Sequence, residues 1–211
     1  EPLVTQLDEL EGRLTRLAAD APYEVRRAAY LEARWLNRKI AFSNPLLDFD
    51  KLLFIQRHRG TLPHMCDQYY GFTAVPGGGL FVLSEPFGDH PQLINLLENS
   101  AVENGRLQGR KLLPGSFLSP EVSYDGQTVL FAYSENSQPM RDWDEVFPPA
   151  PSSRTWTATN CYHLFKVGAD GSGLVQLADG PWDDFDPCFL PGGRIAFISE
   201  RRGGFVRCGI R

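Results

Sequence analysis

Apolar residues in the first forty positions of the chain recur every three or four residues, with charged residues between them. This spacing places the apolar side chains on one face of a helix and predicts an amphipathic helical segment over residues 1–43. Pro22 divides the segment into two helices, because proline disfavours helical geometry in the residue before it. We interpret the pair as a helical hairpin packed on the next domain; a helix that binds a partner or mediates oligomerisation is the alternative. The two apolar faces consist of Leu3, Leu7, Leu10, Leu14 and Leu17, and of Val25, Ala28, Ala29, Leu31, Trp35 and Leu36.

From residue 44 onward the pattern changes to short apolar runs separated by Gly, Pro and Asp. Three segments share one order of features: a proline, an apolar pair, a polar turn and an apolar strand. In the last two segments the turn is Asp125-Gly126 or Gly192-Gly193, dipeptides that tolerate the positive φ of a tight hairpin. A long repeat of strand units predicts a repeat architecture. The three segments are residues 45–57, 120–135 and 187–200.

A further pair of strands is predicted at residues 162–167 and 174–177, joined by a Gly-rich connection. Together with the third proline segment, the pair predicts one four-stranded antiparallel meander over residues 162–204, the arrangement of a β-propeller blade. Blades usually take about 40–50 residues. The three proline segments are spaced more widely than this, which predicts insertions at 58–79 and 136–160. Long loops on a rigid β scaffold are where binding sites tend to lie.

The composition agrees with a mainly β domain and narrows the partners. The chain has 20 Gly, 16 Pro and 14 Phe, which is typical of many turns and aromatic-rich strands. A net charge of -5 argues against nucleic acid as a partner, because nucleic acid needs a basic surface. No apolar run approaches the roughly 20 residues that span a bilayer, so no transmembrane segment is expected.

A candidate metal site lies in the segment RHRGTLPHMCDQYYG. Imidazole nitrogen and thiolate sulfur together suit zinc or another transition metal. A cysteine and a histidine that alternate along a later predicted strand would supply a fourth ligand from one face of that strand. The alternative is a loop held by hydrogen bonds, with packing roles for both cysteines. The candidate ligands are His58, His64, Cys66, Asp67, Cys161 and His163.

Two further groups of carboxylates are candidate ligand sites. Asp183, Asp184 and Asp186 crowd the link before a proline and suit calcium. Carboxylates in such turns readily accept backbone N–H bonds, and we expect this structural role instead. The acidic residues around Trp143 suit a loop that binds a carbohydrate or a peptide.

The sequence resembles a known repeat family. The stretch HLFKVGADGSGLVQLADGPWDDFDPCFLPGGRIAFISERRGG resembles the TolB-like (PD40) β-propeller repeat, with Gly192 where that family usually has Asp. The segments FSNPLLDFDKLLFIQRH, HMCDQYYGF, PGGGLFVL and SPEVSYDGQTVLFAYSE are similar to the middle domain of the hydrazine synthase alpha subunit. The resemblance covers roughly residues 40–211 and implies a propeller fold in a periplasmic or otherwise extracytoplasmic setting.

We therefore expect a mainly β chain: a helical lead-in over residues 1–43 and a partial β-propeller of two to three antiparallel blades over 44–211. Because a closed propeller needs at least four blades, we expect the chain to be a fragment of a longer one. The predicted function is a scaffold that binds a protein partner or a small ligand through propeller loops. The alternative is a metal- or haem-dependent oxidoreductase domain with the 58–67 loop at its active site. The chain has no CxxCH sequence to attach a c-type haem and no catalytic motif, which favours the non-enzymatic interpretation.

Overall fold

The computed structural model describes residues 2–61, 68–139, 156–201, 205–206 and 209–210. Within these ranges the chain is mainly β, with antiparallel sheets that follow two helices. The chain divides into a helical unit, Glu1–Asp50 with Glu85–His90, and a β unit, Lys51–Ser84 with Pro91–Arg211. Neither of the described helices is long and apolar enough to cross a membrane.

The helical unit confirms the two helices predicted from the apolar spacing. Helix α1 spans Pro2–Leu14 and helix α2 spans Tyr23–Phe42. Pro22 lies at the N-cap of α2, a position that proline tolerates because no intrahelical N–H bond is lost there. Leu10 of α1 and Leu36 of α2 are the buried apolar side chains of the two helices.

The first sheet of the β unit has three strands in the order β1-β2-β3. They are β1 Lys51–Gln56, β2 Gly79–Ser84 and β3 Gln92–Asn95, and each pairs antiparallel with its neighbour. The apolar strand predicted at the end of segment 45–57 is β1, whereas the residues before it form no strand and belong to the helical unit.

The second sheet is a four-stranded antiparallel meander in chain order, β4-β5-β6-β7. The next two strands, β8 and β9, pair with each other in a separate sheet. The strands are β4 Ser116–Val122, β5 Thr128–Ser134, β6 His163–Gly168, β7 Val175–Gln176, β8 Asp184–Leu190 and β9 Arg194–Ser199. The short strands β10, Phe205–Val206, and β11, Gly209–Ile210, form a fourth, two-stranded sheet.

The prediction of one meander over residues 162–204 is therefore wrong. Strand β6 pairs along its whole length with β5, from Thr128 opposite Gly168 to Tyr133 opposite His163. The predicted pairs β6–β7 and β8–β9 form, but β6 also pairs with β5 across the predicted insertion at 136–160, and β7 does not pair with β8. The positions of these strands were nevertheless predicted to within a few residues.

The hairpins β4–β5 and β8–β9 share one local irregularity, a β-bulge at a residue that precedes a proline. The register shifts at Ser119, whose φ is 50°, and at Asp186, whose φ is 48°. Pro120 and Pro187 follow them. The Ser119 hydroxyl donates a hydrogen bond to the carboxylate of Asp186, so the two bulges are in contact. Strand β4 also contacts β1, which places the first strands of successive sheets next to each other.

The core of the β unit lies on both faces of the second sheet. On β5, Phe131 and Tyr133 pack in a large cluster with Leu80 of β2, whereas Ala132 packs on the other side with Phe185. A strand that is covered on both faces has a nearly continuous run of apolar residues, and the sequence of β5, TVLFAYS, has this pattern.

The segment between the first two sheets covers the outer edge of β7. The side-chain amide of Asn104 accepts a hydrogen bond from the Gln176 N–H at 2.7 Å and donates one to the Gln176 carbonyl at 3.1 Å. Arg106 donates to Asp179 at 3.0 Å, to the carbonyl of Ala158 at 2.8 Å and to Glu135. A strand edge that would otherwise be open is thereby paired and covered.

Candidate binding site

Three of the six predicted metal ligands, His58, Cys161 and His163, lie within the described residues. His58 follows β1, and its side chain fills the space beside Gly77, where an added β-carbon would lie 2.7 Å from Nε2. His64, Cys66 and Asp67 lie outside the described residues. The metal site predicted in this loop therefore stays a prediction.

The segment that follows this loop is held by a buried carboxylate. One oxygen of Asp183 accepts hydrogen bonds from the Gly71 N–H at 3.0 Å and from the Tyr162 N–H at 2.7 Å. Asp183 is fully buried. The expected structural role of this aspartate, as an acceptor for backbone N–H groups, is confirmed.

Asn136 holds the same segment from its other side, and no sequence pattern predicted this role. Its amide nitrogen lies 2.8 Å from the carbonyl oxygen of Gly71, 2.9 Å from that of Phe72 and 3.2 Å from that of Ala74. Gly71 is in close contact with the backbone that precedes β6, because an added β-carbon would lie 2.3 Å from the Asn160 carbonyl oxygen. Residues 71–74 are thus fixed to the second sheet.

Tyr162 is the largest fully buried side chain near this segment. Its hydroxyl lies 2.8 Å from the Ser116 hydroxyl. Burial raises the pKa of the phenol, although the positive charge of Arg57 opposes this effect. The phenol therefore stays protonated at neutral pH and acts as a hydrogen-bonding group of the core.

Cys161 and His163 are both buried. Cys161 lies before the first residue of β6, so strand alternation does not by itself place the two side chains on one face. The His163 Nε2 lies 2.8 Å from the Ala158 carbonyl oxygen. Because a carbonyl only accepts hydrogen bonds, Nε2 carries the hydrogen of this bond. Within the described ranges, no three His, Cys, Asp or Glu side chains come together as a metal site.

The three aspartates before Pro187 bind different partners. Asp184 accepts a hydrogen bond from Arg201 at 2.7 Å, and Asp186 accepts one from Ser119. Asp183 binds the backbone groups described above. This separation agrees with structural roles for all three. The acidic residues around Trp143 lie outside the described residues.

A cleft of about 510 Å³ lies between the first sheet and the turn that joins β6 to β7. Hydrogen bonds within the turn support its conformation, since Asp170 accepts from the Ser172 N–H and hydroxyl at 2.9 and 2.6 Å. These bonds also lower the pKa of Asp170. On the other side of the cleft, the Ser100 hydroxyl donates to the Gly171 carbonyl at 2.6 Å. The cleft walls are therefore fixed to each other.

The cleft contains polar side chains that are not used by the protein itself. Among the described residues, the Lys51 ammonium, the Glu98 carboxylate and the Asn99 amide make no side-chain hydrogen bond or ion pair. Val82, Ile94 and Leu96 add apolar surface to the same lining. One positive charge, one negative charge and an amide beside an apolar surface suit a small polar ligand.

The sequence did not predict this cleft. Lys51 begins β1, Glu98 and Asn99 follow β3, and the turn at Asp170 belongs to the second sheet. No spacing along the chain relates these residues, because only sheet packing brings them together.

Comparison with known proteins does not assign the chain to a family. No protein-family model matches it, and no curated protein matches it.

Proposed function

We propose that the chain is an extracytoplasmic binding scaffold of the β-propeller type, related to the middle domain of the hydrazine synthase alpha subunit. The resemblance described above supports the location and the relationship. The cleft of the β unit supports the binding role.

Two structural features support the propeller interpretation. Strand β1 contacts β4, and β4 contacts β8, so the first strands of the three successive sheets lie side by side in space in chain order. The hairpins that contain β4 and β8 carry the same bulge before a proline. Under this proposal the three sheets are consecutive blades, and the second sheet is a blade with all four of its strands.

The cleft with Lys51, Glu98 and Asn99 is the observation that carries the binding role. Its walls are held by the hydrogen bonds of Ser100 and Asp170 within one compact unit. A pre-organised site loses less entropy when a ligand binds. The unpaired ammonium and carboxylate would fix the orientation of a small polar ligand, with the apolar lining against its hydrocarbon part.

Ligand screening with matched variants tests this function. NMR spectra of the ¹⁵N-labelled chain would be recorded with free amino acids, short peptides, and mono- and disaccharides as probes. We expect one class to shift the amide resonances of residues 94–100 and 169–172, and Lys51→Ala and Glu98→Gln to weaken that binding at least about tenfold. Lys166→Ala, an exposed lysine of β6 outside the cleft, is the control and should bind as wild type. Binding that is equally strong in all three variants, or the absence of shifts with every probe, would reject the cleft as the site.

The second candidate function is the metal- or haem-dependent oxidoreductase domain. It is favoured by the closed base of the 58–67 loop, where the Arg57 guanidinium donates to the Gln68 carbonyl at 2.8 Å. Closure at the base would keep the candidate ligands close together. Elemental analysis of the purified chain would then find one transition metal that His64→Ala and Cys66→Ala both lose. Cys188→Ala, an exposed cysteine outside the loop, should retain it.

A further inference from the structure

The helical unit exposes an apolar face on one side of its hairpin. The Arg13–Glu32 ion pair and the short connection between α1 and α2 make the two helices an antiparallel pair. Each helix buries a single residue of a longer apolar stripe, Leu10 or Leu36. Helical spacing places further apolar side chains beside these two, and they are exposed. The exposed members of this face, which we call the hairpin face, are Leu7 and Leu14 of α1 and Val25 and Ile40 of α2.

The hairpin face is continuous across the two helices. On α1, Leu7 and Leu14 lie three and four residues from Leu10, on the side that turns away from Arg13. On α2, Val25 and Ile40 lie near Leu36 in projection along the helix axis. Two helices alone cannot enclose a core, so such a face needs further helices or another apolar surface to cover it.

The charges of the two helices are opposite and remain largely uncompensated within the hairpin. Helix α1 has three carboxylates and one basic residue, a net charge of -2, whereas α2 has five basic and two acidic residues, a net charge of +3. In the described part of the chain, one ion pair joins the two helices, between Arg13, the single basic residue of α1, and Glu32, one of the two acidic residues of α2. The carboxylates of α1 and most basic groups of α2 therefore have no ionic partner among the described residues.

We propose that a second copy of this chain covers the hairpin face, so that two hairpins form a four-helix bundle. In a two-fold arrangement, α1 of each copy packs against α2 of the other, and each contact is made twice. This arrangement buries the four exposed apolar residues of both copies. It also places the acidic helix of each copy next to the basic helix of the other copy, which adds charge complementarity to the apolar contact.

Two charged residues border the hairpin face and report on this pairing. Glu11 lies four residues after Leu7 and three before Leu14. Arg26 lies next to Val25 on α2, on the border of the same face. Because these groups are exposed, their attraction across the interface weakens at high salt.

Sedimentation equilibrium of the full chain tests the proposal. We expect a dimer that weakens with added salt. Leu7→Glu and Ile40→Glu should each weaken it at least about tenfold, because each places a charge in an apolar contact. Leu46→Glu replaces an apolar residue that is 80% exposed and lies outside both helices, and it should leave the dimer unchanged. Far-UV circular dichroism checks that the helices persist in each variant.

Charge exchange gives an independent readout. Glu11→Arg should weaken the dimer, and adding Arg26→Glu to it should restore the dimer. A wild-type chain that is monomeric at all concentrations overturns the proposal. A lower Tm of Leu7→Glu in such a monomer would show that the hairpin face packs within its own chain. A dimer that Leu7→Glu and Ile40→Glu leave intact overturns it as well.

Discussion

Single buried polar side chains hold the segment next to the predicted metal loop. Gly71–Thr73 form a 3-10 turn that ends at Ala74, outside the sheets, so their backbone groups have no strand partners. Buried backbone groups need hydrogen bonds, and the side chains of Asp183 and Asn136 provide them. Two polar residues that are distant in sequence therefore hold residues 71–74 in place.

Replacing Asn136 should destabilise the β unit. Asn136→Ala leaves three buried carbonyls without this donor, and we expect a loss of about 1–3 kcal/mol in the free energy of unfolding. Asn136→Asp has the same shape but no N–H donors, and it should cost at least as much. Asn99→Ala removes an exposed amide without a hydrogen bond and serves as the control. Urea denaturation of the three variants measures the effect, and equal stability of all three would contradict it.

His163 should make the stability of the protein depend on pH. Burial lowers the pKa of the imidazole, although the carboxylates of Asp179 and Asp184 oppose this effect and Arg106 adds to it. The unfolded chain takes up the proton first as the pH falls, because its histidine pKa is about 6.5. The contribution of neutral His163 is therefore complete above that pH and is lost as the pH falls below it.

Denaturation of wild type and His163→Gln at about pH 8 and about pH 5 measures this effect, since glutamine does not titrate in that range. We expect the stability advantage of wild type to shrink at the lower pH. An advantage that stays constant or grows on acidification would contradict the assignment.

At the scale of elements, side chains rather than strands complete the second sheet. The Asn104 amide pairs with the N–H and carbonyl of Gln176 as a neighbouring strand would. Turn and strand patterns predicted β6 and β7 as elements. They did not predict this edge cover, because asparagine in a loop has no periodic signature.

Removing the edge cover should open β7 locally. In Asn104→Ala we expect the Gln176 amide to exchange with solvent about fivefold faster or more, because the hydrogen bond that this N–H makes to Asn104, worth about 1 kcal/mol, is lost together with the bond to the Gln176 carbonyl. The amide of Phe131, in the central strand β5, is the internal control. Hydrogen exchange followed by NMR gives both rates. Unchanged protection at Gln176 would mean that the backbone around β7 holds the edge without Asn104.

At the scale of the whole molecule, the β unit has an exposed strand edge. Strand β9 has no partner on its outer side in the described part of the chain, and Ile198 is 50% exposed. An open apolar edge promotes association between molecules. Ile198→Lys should therefore reduce aggregation and change the free energy of unfolding by less than about 0.5 kcal/mol.

Light scattering of concentrated samples measures this difference. Tyr124→Lys changes a residue that is more exposed but lies in a turn, and it should leave aggregation unchanged. Equal effects of both substitutions would show that surface charge, and not the strand edge, controls aggregation.

The sequence by itself determined the local elements of this protein. Helical spacing predicted α1 and α2, and the Asp125-Gly126 and Gly192-Gly193 dipeptides predicted two hairpins, because these features depend on neighbouring residues. The tertiary structure alone decided that β6 pairs with β5 and that Lys51, Glu98 and Asn99 line one cleft. It also decided that Asn136 holds residues 71–74. These relations join residues that are far apart in the chain, so they depend on how the sheets pack and leave no periodic trace in the sequence.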